Sequence, residues 1–127
     1  MPLVRIDLRR GRPAEERRAI ADAVHAALVE AIGIPEQDRF QVVTEHDQGG
    51  LIFDPSYLGI ARSDKVVFIQ IAISVGRPVE KRIAIFERIA ARLKGLVRPE
   101  DVLVNLLETQ KENWSFGNGI AQYAQKT

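Results

Sequence analysis

One unit is written twice in this chain. Gly11-Arg12-Pro13, followed by the charged run Glu15-Glu16-Arg17-Arg18, returns 65 residues further on as Gly76-Arg77-Pro78 with Glu80-Lys81-Arg82 behind it. Pro35-Glu36 returns as Pro99-Glu100, and Asp38 returns as Asp101 once single-residue gaps are allowed. A duplication constrains the fold strongly, because whatever topology one copy adopts the other repeats.

Each copy reads as strand, Gly-Arg-Pro, helix, proline-containing turn, strand. In the first, Ile20, Val24, Ala27, Leu28 and Ala31 recur at three- and four-residue steps, the period of an amphipathic helix, and Gly33 is placed to end it. In the second, Val79, Ile83, Phe86, Ala90 and Leu93 predict the same, with Gly95 as terminator. Pro13 and Pro78 fall where a first-turn proline is favoured, since its missing N–H would have had no intrahelical partner. Before each helix lies an apolar strand, Pro2 to Leu8 and Val66 to Ile73, and after each lies another, Phe40 to Thr44 and Val102 to Leu107.

A strand-helix-strand unit is a right-handed crossover with parallel strands. Two copies therefore predict an α/β (α+β) fold, a four-stranded mixed sheet with two helices on one face. The whole chain, residues 1–127, is expected to form a single domain: repeats at about 2–46 and 65–109, a glycine-rich linking loop and a C-terminal tail. Val66 to Ile73 and Val102 to Leu107 are apolar at both alternating positions, so the helix-free face also needs cover. A second copy of the chain is the simplest one, which predicts a symmetric oligomer.

Composition chiefly excludes. Net charge is +1 with acidic and basic residues interleaved, which offers no field for nucleic acid or a membrane surface. The absence of cysteine removes disulfides, thiolate catalysis and cysteine metal sites. The N-terminus lacks a basic-then-apolar leader, so a cytoplasmic location is expected. His25 and His46 are too few for a metal cluster and are expected at the surface. No serine has an evident His-and-acid partnership, and no glycine loop cradles phosphate.

Pro2 has chemistry that no internal proline has. If Met1 is trimmed, Pro2 becomes a free secondary amine at a strand end, able to act as base, cationic acid or imine-forming nucleophile. If Met1 stays, the nitrogen is an amide without basicity. A strand also tolerates proline as its first residue without any chemistry. In the tail, Trp114-Ser115-Phe116-Gly117-Asn118-Gly119 sets two aromatics beside two glycines, a turn that closes over a ligand or over the core.

Pro2 behind Met1, the duplicated strand-helix-strand unit and a mixed sheet needing partners together resemble the tautomerase superfamily. The turn Ile34-Pro35-Glu36-Gln37-Asp38-Arg39-Phe40-Gln41, the Ile73-Ser74 strand end followed by Arg77, and Asn113-Trp114-Ser115-Phe116-Gly117 are similar to the members around malonate semialdehyde decarboxylase. The resemblance covers nearly the whole chain and implies a homotrimer, no cofactor and a small oxo-acid substrate. It makes Pro2 the catalytic amine, Asp38 its acidic neighbour, Arg77 the anchor of a substrate carboxylate, and Trp114 and Phe116 the apolar walls. One departure stands out: where the decarboxylase-like pattern Ile-Ser-Arg-Pro-Arg has its first arginine, this chain has Val75.

The environment of Pro2 would select the reaction. Apolar walls and the charge of Arg77 favour the neutral amine, a base that moves a proton between the carbon and oxygen of a 2-oxo acid. An ionised Asp38 favours the ammonium, an acid that stabilises the enolate left by a departing carbon dioxide. With one cation missing at position 75, keto-enol proton transfer on a small 2-oxo acid is the expected activity, with malonate semialdehyde decarboxylation and hydratase-like chemistry as the alternative. Two other classes compete: a non-catalytic trimeric binding protein, and a nucleic-acid binder using Arg9, Arg10, Arg12, Arg17 and Arg18. Glu15 and Glu16 within that last run favour a solvated helix start instead.

Overall fold

A computed structural model describes residues 1–124. Strand β1 (Leu3–Arg9), helix α1 (Ala14–Ile32) and strand β2 (Gln41–His46) form the first β-α-β unit, and β3 (Val67–Ser74), α2 (Val79–Arg92) and β4 (Val102–Thr109) form the second. The sheet order is β2-β1-β3-β4, parallel within each unit and antiparallel where β1 meets β3. The expected four-stranded mixed sheet with two helices on one face is the architecture observed.

Strand alternation explains where the core sits. Val4, Ile6 and Leu8 face the helices together with Val67, Ile69, Ile71 and Ile73, and all are buried. Fully burying one such side chain is worth about 1.5–3 kcal/mol. From above, α1 closes this layer with Ile20, Val24, Ala27, Leu28 and Ala31, the stripe its period predicts.

Helix α2 differs from expectation. Its buried residues are Ile85 and Ile89, with Leu93 at its end, whereas Val79, Ile83 and Phe86 are exposed. The helix carries two apolar faces, and periodicity alone could not say which one the sheet takes. The exposed face adjoins Val104 and Leu106 of the edge strand β4. The helix-free face of the sheet also departs from a continuous apolar surface. Phe68, Ala72, Leu103 and Leu107 alternate there with Arg5, Asp7, Gln70 and Asn105, the last two joined at 3.1 Å.

The Gly-Arg-Pro turns are built alike. Gly11 (φ 128°) and Gly76 (φ 113°) hold a backbone conformation that side chains avoid, which is why glycine stands at both places. Pro13 and Pro78 lie one position earlier than predicted, as N-caps rather than first-turn residues. The Pro13 carbonyl accepts from the amides of Glu16 and Arg17, and the Pro78 carbonyl from those of Lys81 and Arg82. Between the units, residues 47–64 form the expected linking loop, pinned where Arg9 donates to the Leu51 carbonyl at 2.9 Å and lies 5.1 Å from the Phe53 ring.

Candidate active site

Because β1 runs antiparallel to β3, the beginning of the chain lies beside the end of β3, where the second Gly-Arg-Pro turn starts. The turn following α1 lies against both. Between these three segments and the C-terminal tail is a cavity of about 660 Å³. Met1, Pro35, Asp38, Ser74, Val75, Arg77, Lys111, Phe116 and Tyr123 are among the residues lining it.

Its charged centre is an ion pair between the chain's first amine and Asp38. The Met1 ammonium lies 2.8 Å from Asp38 Oδ2, and both side chains are largely buried. Pro2 is buried immediately behind Met1, its nitrogen committed to the amide that joins them. The turn holding Asp38 is braced from several sides. Gly33 (φ 67°) ends α1 and sends its amide to the Val29 carbonyl, and the Asp38 amide donates to Pro35 O at 3.0 Å. His25, expected at the surface, is instead buried, and its Nε2–H donates to the Glu36 carbonyl at 2.8 Å. The helical position of His25 gave no hint of this, because its partner arrives only when the following turn folds back. Arg39 donates to Asp22 at 2.6 Å and to Gln41 at 2.8 Å. The Arg39 hydrogen bond, more than the second one from Arg18, holds the Asp22 carboxyl below the usual carboxylate range.

Opposite the amine stands Arg77. It donates Nη1 to the Ser74 carbonyl at 3.0 Å, and among the described residues no carboxylate pairs with it. Its remaining N–H groups are available to an anion, and a guanidinium can hold a carboxylate at two points. Val75 also lines the cavity, so the position lacking an arginine faces the site.

Phe116 forms an apolar wall. Trp114 stacks against it with ring centroids 5.6 Å apart and 12° between planes. The indole Nε1–H donates to Thr109 Oγ1 at 2.6 Å, which ties the tail to the end of β4. Trp114 therefore stands behind Phe116 rather than on the cavity surface, and Phe40 and Tyr123 pack on Phe116 at 5.8 and 6.0 Å.

Sequence reasoning missed Ser74, Lys111 and Tyr123 as lining residues. Ser74 stood inside a quoted strand end, where a serine draws no notice. Lys111 is placed by the turn that follows β4, which sequence spacing does not reveal. Tyr123 could have been read as a further aromatic of the tail. Among the described residues no group of three or more His, Asp or Glu side chains is placed to hold a metal ion, and no helix is long and apolar enough to cross a membrane.

Two β-α-β units joined through an antiparallel centre, with the chain's own amine set in a cavity beside an arginine, define a protein of the tautomerase fold. Sequence comparison agrees: patterns of two families described as tautomerase enzymes match residues 38–117 and 2–61. The chain belongs to the tautomerase superfamily. It is 37% identical over 124 residues to the probable tautomerase YusQ of Bacillus subtilis (strain 168), covering 96% of this chain and 98% of that protein. Its fold is similar to that of the FG41 malonate semialdehyde decarboxylase inhibited by 3-bromopropiolate, with TM-score 0.91 and 45% identity over 95% of this chain and 93% of that one. A fused 4-OT wild-type symmetric trimer shares the fold with TM-score 0.78 at 19% identity, over 93% of this chain and 94% of that one.

Proposed function

We propose that the chain, once Met1 is removed, is a cofactor-independent enzyme that uses the Pro2 amine to move a proton between carbon and oxygen of a small 2-oxo acid. The observation that carries this reading is the 2.8 Å pair between the first amine and Asp38, inside a cavity whose Arg77 has no carboxylate partner among the described residues. Loss of Met1 draws the amine back along β1 by no more than one residue length, about 3.3–3.6 Å. That leaves it at the cavity wall. Arg77 then holds the substrate carboxylate, Phe116 with Trp114 behind it keeps the reacting carbon dry, and Pro2 takes and returns the proton while Asp38 compensates its charge.

A second reading, decarboxylation of malonate semialdehyde, is favoured by the 45% identity to the FG41 protein that bears that name. In it the Pro2 ammonium stabilises the enolate as carbon dioxide leaves. Self-association as a cytoplasmic homotrimer is part of the same proposal. Its support is the exposed apolar row Val79, Ile83 and Phe86 beside β4, together with Leu103 and Leu107 on the helix-free face. Apolar side chains exposed on both sides of an edge strand suit burial against another copy of the chain.

The test has two parts. Intact mass of the purified protein shows whether Met1 is absent, and assays with the enol of an aryl pyruvate and with malonate semialdehyde show which reaction is catalysed. Processed protein inert toward both substrates removes this reading and leaves a binding protein.

A further inference from the structure

Only two buried side-chain polar atoms lack a hydrogen-bond partner among the described residues, Arg9 Nε and Ser74 Oγ. They occupy equivalent places, each two residues before the glycine of a Gly-Arg-Pro turn. At position 9 the arginine reaches outward to Asp64 at 3.0 Å and to Leu51 O, filling its end of the sheet. At position 74 the side chain is small, and the space it leaves belongs to the active-site cavity, which Ser74 lines.

We propose that Ser74 Oγ–H is a substrate-binding group that shares the substrate carboxylate with Arg77. This deepens the oxo-acid reading and rests on it. Nearly every buried hydroxyl in a folded protein has a partner, and one left without carries the full desolvation penalty of its polar group. Ser74 is 3% exposed and its oxygen has none. Thr109, its register partner on β4, uses its own hydroxyl twice, donating to Ile73 O at 3.2 Å and accepting from Trp114 Nε1 at 2.6 Å. The scaffold therefore satisfies one hydroxyl of the pair and leaves the other for something that binds.

The register explains why the Ser74 oxygen is shut off from solvent. Leu3 stands across from Ala72. Continued two residues past the end of β1, that pairing sets Met1 opposite Ser74, and opposite side chains in an antiparallel pair are close enough to touch. Removing Met1 takes away the residue facing the hydroxyl. Arg77 is already fastened to the Ser74 carbonyl at 3.0 Å, so hydroxyl and guanidinium are held together at one cavity wall. A neutral donor there partly replaces the cation that Val75 does not supply.

The probe is propanoate, which has a carboxylate and no carbonyl to react, set against neutral propanamide; both are titrated by NMR into Met1-free protein. In Ser74→Ala, propanoate should bind roughly 10- to 100-fold more weakly, the loss expected for one hydrogen bond to a charged group, while propanamide affinity is unchanged. The same variant should leave Tm nearly unchanged, because the hydroxyl it deletes has no partner to lose among the described residues. Unaltered propanoate affinity in Ser74→Ala, or a fall in Tm of about 4 °C or more, overturns the assignment and leaves the Pro2 chemistry standing. Failure of the wild type to bind propanoate at all overturns the carboxylate site itself, and the role of Ser74 with it.

Discussion

The two ends of the central β1–β3 pair are the same structure put to different ends. At one, Asp101 is fully buried and accepts from the Ser63 amide at 2.7 Å and the Ser63 hydroxyl at 2.6 Å, closing on a chain that runs straight through. At the other, Asp38 grips the ammonium at the chain's beginning. Arg17 donates to the Arg12 carbonyl at 2.5 Å, and Arg82 donates to the Arg77 carbonyl at 2.8 Å. The two turns share this bond, and each helix N-cap carbonyl accepts the same pair of amides. What differs is the arginine each frame presents. Arg12 is 5% exposed, paired with Glu16 at 3.3 Å and bonded to Lys65 O at 2.8 Å, whereas Arg77 faces a cavity with a single carbonyl bond among the described residues. On the function proposed above, the terminal amine, an arginine with no carboxylate partner among the described residues and a small residue at the place of Arg9 would turn a structural joint into a site.

The sharpest way to break this comparison is to change the nature of the terminal amine. Pro2→Ala, with a primary amine of different basicity and no ring, should lower kcat/KM by about 10²–10⁴-fold in steady-state assays, the range of positioned proton transfer. Activity within threefold of wild type would reduce the Asp38 end to a joint like its counterpart. Next is the arginine pair. Arg77→Ala should raise KM by roughly 10- to 100-fold with Tm nearly unchanged, as expected for losing charge-assisted contacts to a carboxylate. Arg12→Ala should do the reverse, leaving KM alone and costing about 1–3 kcal/mol in urea unfolding, because the Lys65 carbonyl loses its buried donor. Equal kinetic defects in both variants would show the two arginines to be equivalent. Smaller again is Asp101→Asn, expected to cost roughly 1–2 kcal/mol of stability with the kinetics intact, since the amide can replace only part of the acceptor set around Ser63.

The frame was legible in the sequence because duplication prints itself twice. Gly11 and Gly76, Pro13 and Pro78, and Asp38 and Asp101 mark turns whose backbone demands those residues, and alternation along β1 and β3 shows which side chains go inward. The stripe of α2 was not legible, since Ile85 and Ile89 compete with Val79, Ile83 and Phe86 and only the packed sheet decides. In the cavity, Asp38, Arg77 and Phe116 were readable as candidates from the resemblance, but Lys111 and the burial of His25 depend on how distant turns come together. The repeat of aspartate in both turns also has a physical meaning now: each carboxylate accepts from an N–H of the chain, and at one end that nitrogen is the terminus.

The contrast between the two arginines is matched by a difference in sequence four positions beyond each. Four positions after Arg12 stands Glu16, whose carboxylate lies 3.3 Å from the guanidinium; four positions after Arg77 stands Lys81, which has no carboxylate to offer. Lys81→Glu would therefore give Arg77 the partner that Arg12 already has. An exposed i,i+4 pair is worth about 0.3–0.5 kcal/mol, and removing a like charge adds a comparable amount. A substrate carboxylate would have to displace that glutamate, so KM for a 2-oxo acid should rise about threefold to fivefold while kcat stays within a factor of two. The effect should shrink at about 0.5 M salt, where a surface pair is screened. A Lys81→Gln control separates loss of the lysine charge from gain of the glutamate and should show about half the shift in free energy. If Lys81→Glu leaves KM unchanged at low salt, the freedom of Arg77 comes from the shape of the Gly-Arg-Pro turn and not from the residue one helical turn beyond it.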